Sequence, residues 1–389
     1  MISVEEALAR LFALVPAPQS ETVPLAEAGG RVLLHPQAAR LTQPPFDASA
    51  MDGYAVIAAE VRPGATLQVV GEAAAGRAFD GRVAAGQAVR IFTGAPVPPG
   101  ATRIVLQEDV TREGDVITLG EVGGGPHIRP AGGDFAAGDL LQAPRRLGPA
   151  DIALLAAMNI PAVPVARRPS VAIISTGNEL VAPGETPGPD QIIASNALGL
   201  AAMVAREGAL PRLLPIARDD AASLGVVLDL AAGADLVLTI GGASVGDHDI
   251  VAQVAQSRGI DLAFHKVAMR PGKPLMAGRM DGAMMVGLPG NPVSALVCGE
   301  VFVMPVLRAM QGLPAGPAAR KPARLGGHLD ANGGRTHFLR ARTDGDTVTP
   351  FARQDSALLS VLSAANCLVM RPPHDPARAI GDLVEILPI

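Results

Sequence analysis

Only three lysines stand among the 32 lysines and arginines of this chain, and two of them, Lys266 and Lys273, share one short stretch. Upstream runs Gly241, Gly242, Ala243, Ser244, Val245 and Gly246; downstream runs Gly287, Leu288, Pro289, Gly290, Asn291 and Pro292. Lysine is a compact, flexible point charge, and a glycine-rich turn presents backbone N–H groups that an oxyanion can approach closely. The combination marks an anion-handling stretch. A third turn, Ser175, Thr176, Gly177, Asn178 and Glu179, follows an apolar run that ends at Ile174. Each turn alone reads as a tight turn, but three of them beside isolated lysines read as a site for phosphate or a similar oxyanion. Asp247 and Asp249 follow the second turn. They read equally as acids favoured by the start of the next helix and as ligands for Mg²⁺, which takes oxygen donors and bridges phosphates. Glu179 also reads as an ordinary first-turn acid. The seven histidines show no ligand spacing, and His248 and His265 read as surface or core residues.

Elements that would position these turns follow from hydrophobic periodicity. Val171 to Ile174, Leu236 to Ile240 and Met284 to Leu288 are short apolar runs that read as buried strands. Between and beyond them the pattern predicts helices over Ala197 to Glu207, behind Ser195 and Asn196, over Asp220 to Leu230, over Ile250 to Gln256, and from Pro292 to about Met310. Asp219 or Asp220 would cap the second of these, and Asn291 would cap the last with Pro292 at its first position. Strand and helix in alternation predict a parallel sheet covered on both faces, whose ligand site lies at the carboxyl ends of the strands.

The flanking regions are β-rich. Thr66 to Val70, Ala88 to Phe92, Arg103 to Leu106 and Val116 to Leu119 are bounded by Gly or Pro and predict a small β domain. In the tail, His337 to Ala341, Thr347 to Thr349, Cys367 to Met370 and Leu383 to Leu387 predict another. The N-terminus reads as a helix capped by Ser3 and Glu6 with Val4, Leu8 and Leu11 inward. Pro149 to Met158 reads as a helix with Ile152, Leu155 and Ala156 on one face, and Arg167, Arg168 and Pro169 mark a boundary after it.

Composition closes off several classes. Hydrophobic residues make up 49% and charged residues 18% of 389 positions, as in a multidomain globular protein. A net charge of -5, no Trp and one Tyr give no general attraction or stacking platform for nucleic acid. Cys298 and Cys367 supply neither a disulfide framework nor a thiolate metal site, and no unbroken apolar run spans a bilayer; a soluble cytoplasmic protein is expected. The common dinucleotide, NTP and acyl-hydrolase signatures are missing from the sequence.

Motifs along most of the chain resemble the molybdopterin molybdenumtransferase family, which includes the MoeA proteins and the E domain of gephyrin. They are Ser49 to Ala55, Thr93 to Val97, Ser175, Thr176, Gly177 and Glu179, Gly241, Gly242, Ser244, Val245, Gly246 and Asp249, Pro271 to Pro274, and Gly287 to Ser294. The resemblance implies an α/β plus β multidomain fold. Its parts would be an elongated linker and dimerisation domain over 1–43 and 135–168, a β-rich domain over 44–134, an α/β molybdopterin-binding domain over 169–318, and a C-terminal β-barrel over 319–389. It also implies a homodimer with the site between the α/β domain of one subunit and the β domain of the other, and the Mg²⁺-dependent insertion of molybdate into adenylylated molybdopterin with release of AMP. Other proteins of molybdenum-cofactor biosynthesis are implied partners.

Site residues implied by the resemblance are, as catalytic groups, Asp52, Asp134, Glu179, Asp249 and Lys273. Asp247 and Asp249 would hold the metal. Substrate would be bound by Thr93, Ser175, Thr176, Gly177, Asp219, Gly241, Gly242, Ser244, Gly246, Lys266, Arg270, Pro289, Gly290, Asn291 and Pro292, with Arg340 and Ser356 from the tail. Two positions depart from the family pattern, which has lysine at Arg270 and aspartate at Asn178. An adenylyltransferase acting one step earlier, or a non-catalytic scaffold of the same fold, are the competing readings.

Overall fold

The computed structural model describes residues 1–242, 254, 259, 261–280 and 282–389. Ser244, Gly246, Asp247 and Asp249, and all but Val254 and part of the surroundings of the helix expected over Ile250 to Gln256, lie outside them.

The apolar runs that precede the three glycine-rich turns are strands of a six-stranded sheet ordered Leu210–Leu213, Ser170–Ser175, Leu236–Ile240, Ala283–Leu288, Met276–Met280 and Asp261–Phe264. The first four strands are parallel, as the alternation predicts. The last two add on antiparallel; the sequence reading left them out. Every residue of Leu236–Ile240 is buried, the burial expected of a strand covered on both faces. One face packs under the helices Asn196–Arg206 and Pro292–Cys298, and the other under Ala221–Leu230. Pro292–Cys298 continues through a wider turn at Gly299–Val303 into Met304–Met310. That turn precedes Pro305, which has no N–H to close an ordinary turn. Pro292–Met310 is apolar and long enough to cross a bilayer, but 78% of its apolar window is buried inside the fold, as in a core helix.

The helix Val4–Leu14 begins at Ser3, whose Oγ accepts from Glu6 N at 3.1 Å. The return half of the box is not made; the Glu6 carboxylate pairs with Arg10 instead. Val4, Leu8 and Leu11 are buried, and they join the core of the α/β unit rather than of the linker assigned to residues 1–43. Within the segments 1–43 and 135–168 lies a sheet of Ser20–Pro24, Ala162–Ala166, Val32–Leu33 and Arg145–Arg146 packed on Pro149–Ala157. Leu155 is buried there, while Ala156 turns to solvent. Glu207, buried at the end of Asn196–Arg206, joins linker to α/β unit: its carboxylate accepts from Arg146 Nη2 at 2.7 Å and Arg308 Nη2 at 3.0 Å.

The β unit is one sheet ordered Arg103–Leu106, Gly53–Val56, Gln87–Ile91, Thr66–Ala73, Val116–Leu119 and Val110–Glu113. At the C-terminus, Thr336–Thr343, Thr347–Pro350, Lys321–Leu325, Leu383–Pro388 and Cys367–Arg371 pair in that order, and the last pairs back with the first, closing a five-stranded barrel. Closure removes both sheet edges. Met269–Arg270 adds to Thr336–Thr343, so the lysine stretch is hydrogen-bonded to the barrel.

Candidate active site

The carboxyl ends of the parallel strands open onto a cavity of about 860 Å³. Its walls include Ser175, Thr176 and Glu179 from the first turn, Gly241 and Gly242 from the second, and Pro289, Gly290, Asn291 and Pro292 from the third. The turns are locked to one another through the backbone: Thr176 N donates to Ile240 O at 2.9 Å, and Gly241 N to Leu288 O at 3.1 Å. Glycine is required at 241, while a side chain at 290 would make only ordinary contact. Gly241 has φ +92°, and a Cβ there would lie 2.6 Å from Thr176 O; a Cβ on Gly290 would touch the Gly241 Cα at 3.5 Å.

Acidic groups flank the glycine turns. Glu179 and Asp219 both line the cavity. Asn178 and Asp219 form a reciprocal pair in which Asp219 N donates to Asn178 Oδ1 at 3.2 Å and Asn178 N donates to Asp219 Oδ2 at 3.4 Å. An asparagine at 178 therefore keeps the acceptor that this pairing uses while adding no charge beside Asp219. Asp220, not Asp219, caps the following helix, accepting from Ser223 N at 2.7 Å. Asn291 occupies the cap position before Pro292 but makes no cap hydrogen bond. Its amide donates instead to Ser356 Oγ at 3.2 Å, and Val293 N donates to Ser356 O at 3.1 Å. Ser356 thus ties a barrel segment to the third turn, and its neighbour Ala357 lines the cavity.

Arg340 stands behind that segment. Its side chain is fully buried, Nη2 donates to Asp355 O at 3.1 Å, and Nε and Nη1 have no partner. Burial, and then the neighbouring Arg270, hold its pKa below the ordinary arginine value. It does not line the cavity; it reaches it through Asp355, Ser356 and Ala357. Lys266 is half-buried, while Lys273 and Arg270 are exposed. The ends of their loop are joined by Val267 N donating to Lys273 O at 3.1 Å, and Pro274 at its end lines the cavity. Arg270 lies opposite His337, whose Nε2 is buried without a partner. Burial, then Arg270, Arg340, Arg371 and Arg335, push the His337 pKa down to about 4.

Asp52, Thr93 and Asp134 lie in and beside the β unit and are not among the cavity walls of the chain. Asp52 Oδ1 accepts from Thr93 N at 2.7 Å and Thr93 Oγ1 at 2.8 Å, which lowers the Asp52 pKa. Arg90, stacked 5.1 Å from the Tyr54 ring and 4.8 Å from the Phe92 ring, adds positive charge beside it. Asp134 is exposed, its N–H donating to Gln43 O at 3.0 Å. Gly177 packs against the Glu179 carboxylate. Among the described residues there is no group of three or more His, Cys, Asp or Glu arranged to hold a metal.

Three family profiles match in order. "MoeA N-terminal region (domain I and II)" covers residues 2–159, "Probable molybdopterin binding domain" covers 172–309, and "MoeA C-terminal region (domain IV)" covers 322–389. The chain belongs to the molybdopterin molybdenumtransferase family. Molybdopterin molybdenumtransferase 2 of Mycobacterium tuberculosis (strain ATCC 25618 / H37Rv) is 40% identical over 402 residues, covering 99% of each chain. The molybdopterin molybdenumtransferase of Nostoc sp. (strain PCC 7120 / SAG 25.82 / UTEX 2576) is 41% identical over 331 residues, 81% of this chain and 76% of that protein. The crystal structure of the molybdopterin biosynthesis moeA protein from Pyrococcus horikoshii OT3 matches with a TM-score of 0.85 at 29% identity, covering 100% of both chains.

Sequence reasoning for this molybdenumtransferase-family chain missed part of the cavity. Leu180, Ile192 and Ile193 line it, and Asn196 Nδ2 donates to Gly290 O at 2.7 Å. The apolar pair Ile192–Ile193, set in a Pro- and Gly-rich loop immediately before Ser195 and Asn196, was the available signal.

Proposed function

We propose that the chain inserts molybdate into adenylylated molybdopterin and releases AMP, acting in the cytoplasm as a homodimer. One observation carries the reading: three glycine turns from separate strands converge on one cavity with Glu179 and Asp219 beside them. The N–H groups of Thr176 and Gly241 already donate to Ile240 O and Leu288 O, so the partial positive charge for phosphate oxygens would come chiefly from the start of Pro292–Cys298. The bond that opens joins AMP to molybdopterin, and the charge left on AMP must be met as it forms.

Within this reading Gly241, Gly242 and Gly290 cradle the phosphates, Ser175 and Thr176 orient them, and Pro289 and Pro292 shape the third turn. Lys266, Lys273 and Arg270 supply cationic charge to molybdate or phosphate from a loop anchored on the barrel. Arg340 and Ser356 hold the segment that closes the cavity on that side. Asp247 and Asp249 are proposed to hold Mg²⁺, with Glu179 and Asp219 on the cavity wall as further oxygen donors; bound there, the ion would offset phosphate charge. Asp52, Thr93 and Asp134, which are not among the cavity walls within one chain, would join from the second subunit.

The test is a pair of assays. Full-length protein with adenylylated molybdopterin, molybdate and Mg²⁺ should release AMP, and should not consume ATP with free molybdopterin. ATP consumption without AMP release from the adenylylated substrate would favour an adenylyltransferase. If Asp52→Ala and Lys273→Ala both restored cofactor synthesis in cells lacking the native enzyme as well as the parent does, a scaffold would be favoured.

A further inference from the structure

Three neighbouring strands of the β unit have an end beside Asp52, and one guanidinium touches all three. Asp52 precedes Gly53–Val56, Thr93 follows Gln87–Ile91, and Gln107 follows Arg103–Leu106. Arg90, on the middle one in sequence, lies directly across from Tyr54. Its Nη1 donates to Gly53 O at 3.1 Å, and its Nη2 donates to Gln107 Oε1. Gln107 N in turn donates to Asp52 O at 3.2 Å. The carbonyls of Asp52 and Gly53 are therefore both held by Arg90, one through Gln107 and one directly.

Aromatic rings hold the guanidinium itself. Its carbon is 5.1 Å from the centre of the Tyr54 ring and 4.8 Å from that of Phe92, within reach of cation–π attraction. Tyr54 is the one tyrosine of the chain, and Phe92 is one of nine phenylalanines, so two rings on one cation are an unusual mount in so aromatic-poor a sequence. Phe92 also adjoins Thr93, whose N–H and hydroxyl both donate to Asp52 Oδ1, at 2.7 and 2.8 Å. Among the described residues Asp52 Oδ2 has no hydrogen bond, which leaves that oxygen for a substrate.

Resting on the reaction proposed above, we propose that Arg90 is a positioning residue for Asp52: its fork clamps the backbone that carries the carboxylate and aims Oδ2 at the substrate, without touching the substrate itself. A misplacement of about 1 Å in a reacting group can cost about a hundredfold in rate. Lysine keeps the positive charge but lacks the planar fork that reaches two acceptors while stacked on rings. Position and charge can thus be told apart. The Thr93 backbone bond and then the Thr93 hydroxyl hold the Asp52 carboxyl below its ordinary range, and Arg90 adds the smallest share. Glu108, which accepts from Gln107 Nε2 at 3.2 Å, is the acid that adjoins this network. Loss of the clamp therefore acts on Asp52 mainly by loosening the Thr93 bonds.

The test compares full-length R90K and R90M with the parent. The Thr93 amide proton, followed by NMR through a pH titration, reports protonation of Asp52 across their hydrogen bond. In both variants that titration should move to higher pH, and kcat for AMP release should fall at least about tenfold while KM stays within about twofold. If R90M does not fold, R90K carries both readouts. An R90K variant that matches the parent shows that charge alone suffices and overturns the clamp. An unchanged Thr93 titration in a folded R90M, or a raised KM with unchanged kcat, overturns it as well. A parent that releases no AMP overturns the reaction and Arg90's part in it, and the Thr93 titration then decides the clamp by itself.

Discussion

The contact between Gly241 and Thr176 gives a quantitative test of the cradle. At φ +92° an alanine at 241 would bear the left-handed backbone cost of about 1–2 kcal/mol. Its Cβ would also sit 2.6 Å from Thr176 O, a backbone atom that cannot rotate away. Forcing an extra carbon into a packed site adds about 1–3 kcal/mol, so Gly241→Ala should destabilise the α/β unit by about 2–5 kcal/mol. Gly233 is the matched control: its φ is +76°, and nothing lies within 4 Å of an added Cβ. Gly233→Ala should cost only about 1–2 kcal/mol. For a unit of this size each kcal/mol lowers Tm by about 2–4 °C, so the two variants should separate in thermal unfolding. Calorimetry with pyrophosphate should show at least about tenfold weaker binding for Gly241→Ala and no change for Gly233→Ala. Equal losses of stability, or unchanged pyrophosphate binding by Gly241→Ala, would refute the claim that this close approach builds the cradle.

Other outcomes follow from buried polar groups. Arg340→Met removes two guanidinium nitrogens with no partner, each costing about 1–3 kcal/mol. The variant should match or exceed the parent in thermal stability yet bind AMP more weakly, because Asp355 loses its anchor; a marked drop in Tm would show that those nitrogens are satisfied. His337 has a folded pKa of about 4 against an ordinary 6.5, so between those values the unfolded chain holds a proton that the folded chain lacks. Stability should therefore fall as pH drops from about 6.5 to about 4, and His337→Gln should flatten that part of a urea-denaturation profile. Glu207→Ala leaves Arg146 and Arg308 without their carboxylate. Because both arginines are about a third exposed, the loss should be about 2–4 kcal/mol in urea denaturation, below that of a fully buried pair.

Much of this architecture is legible in the residues themselves. Leu236 to Ile240 is apolar, β-branched and bounded by turn signals, and it is a central strand with the predicted limits. Ser3 announces its helix by the hydroxyl that accepts from Glu6 N. Met276–Met280 and Asp261–Phe264 were not legible: Gly278 and Arg279 interrupt the one and a short, irregular apolar pattern blurs the other. Their strand character comes from pairing along Ala283–Leu288 and each other, which is a tertiary effect. The site shows the same division. Glycine turns declare themselves by composition, whereas Asn291 has the residue type of a helix cap and spends its amide on Ser356, a partner 65 positions away.

The strap bearing Lys266 and Lys273 is fastened to the N-terminal residues on one side and to the barrel strand Thr336–Thr343 on the other. Ile2 N donates to Lys266 O at 3.1 Å and Ala268 N to Ile2 O at 2.7 Å, while Thr336 N donates to Ala268 O at 3.0 Å. A purification tag spliced ahead of Ile2 would adjoin the backbone bonds that hold the strap at Lys266 and Ala268, whereas a tag after Ile389 would not touch those bonds. If those lysines meet the anion as proposed, a tag at the N-terminal end should weaken pyrophosphate binding in calorimetry and one at the C-terminal end should not.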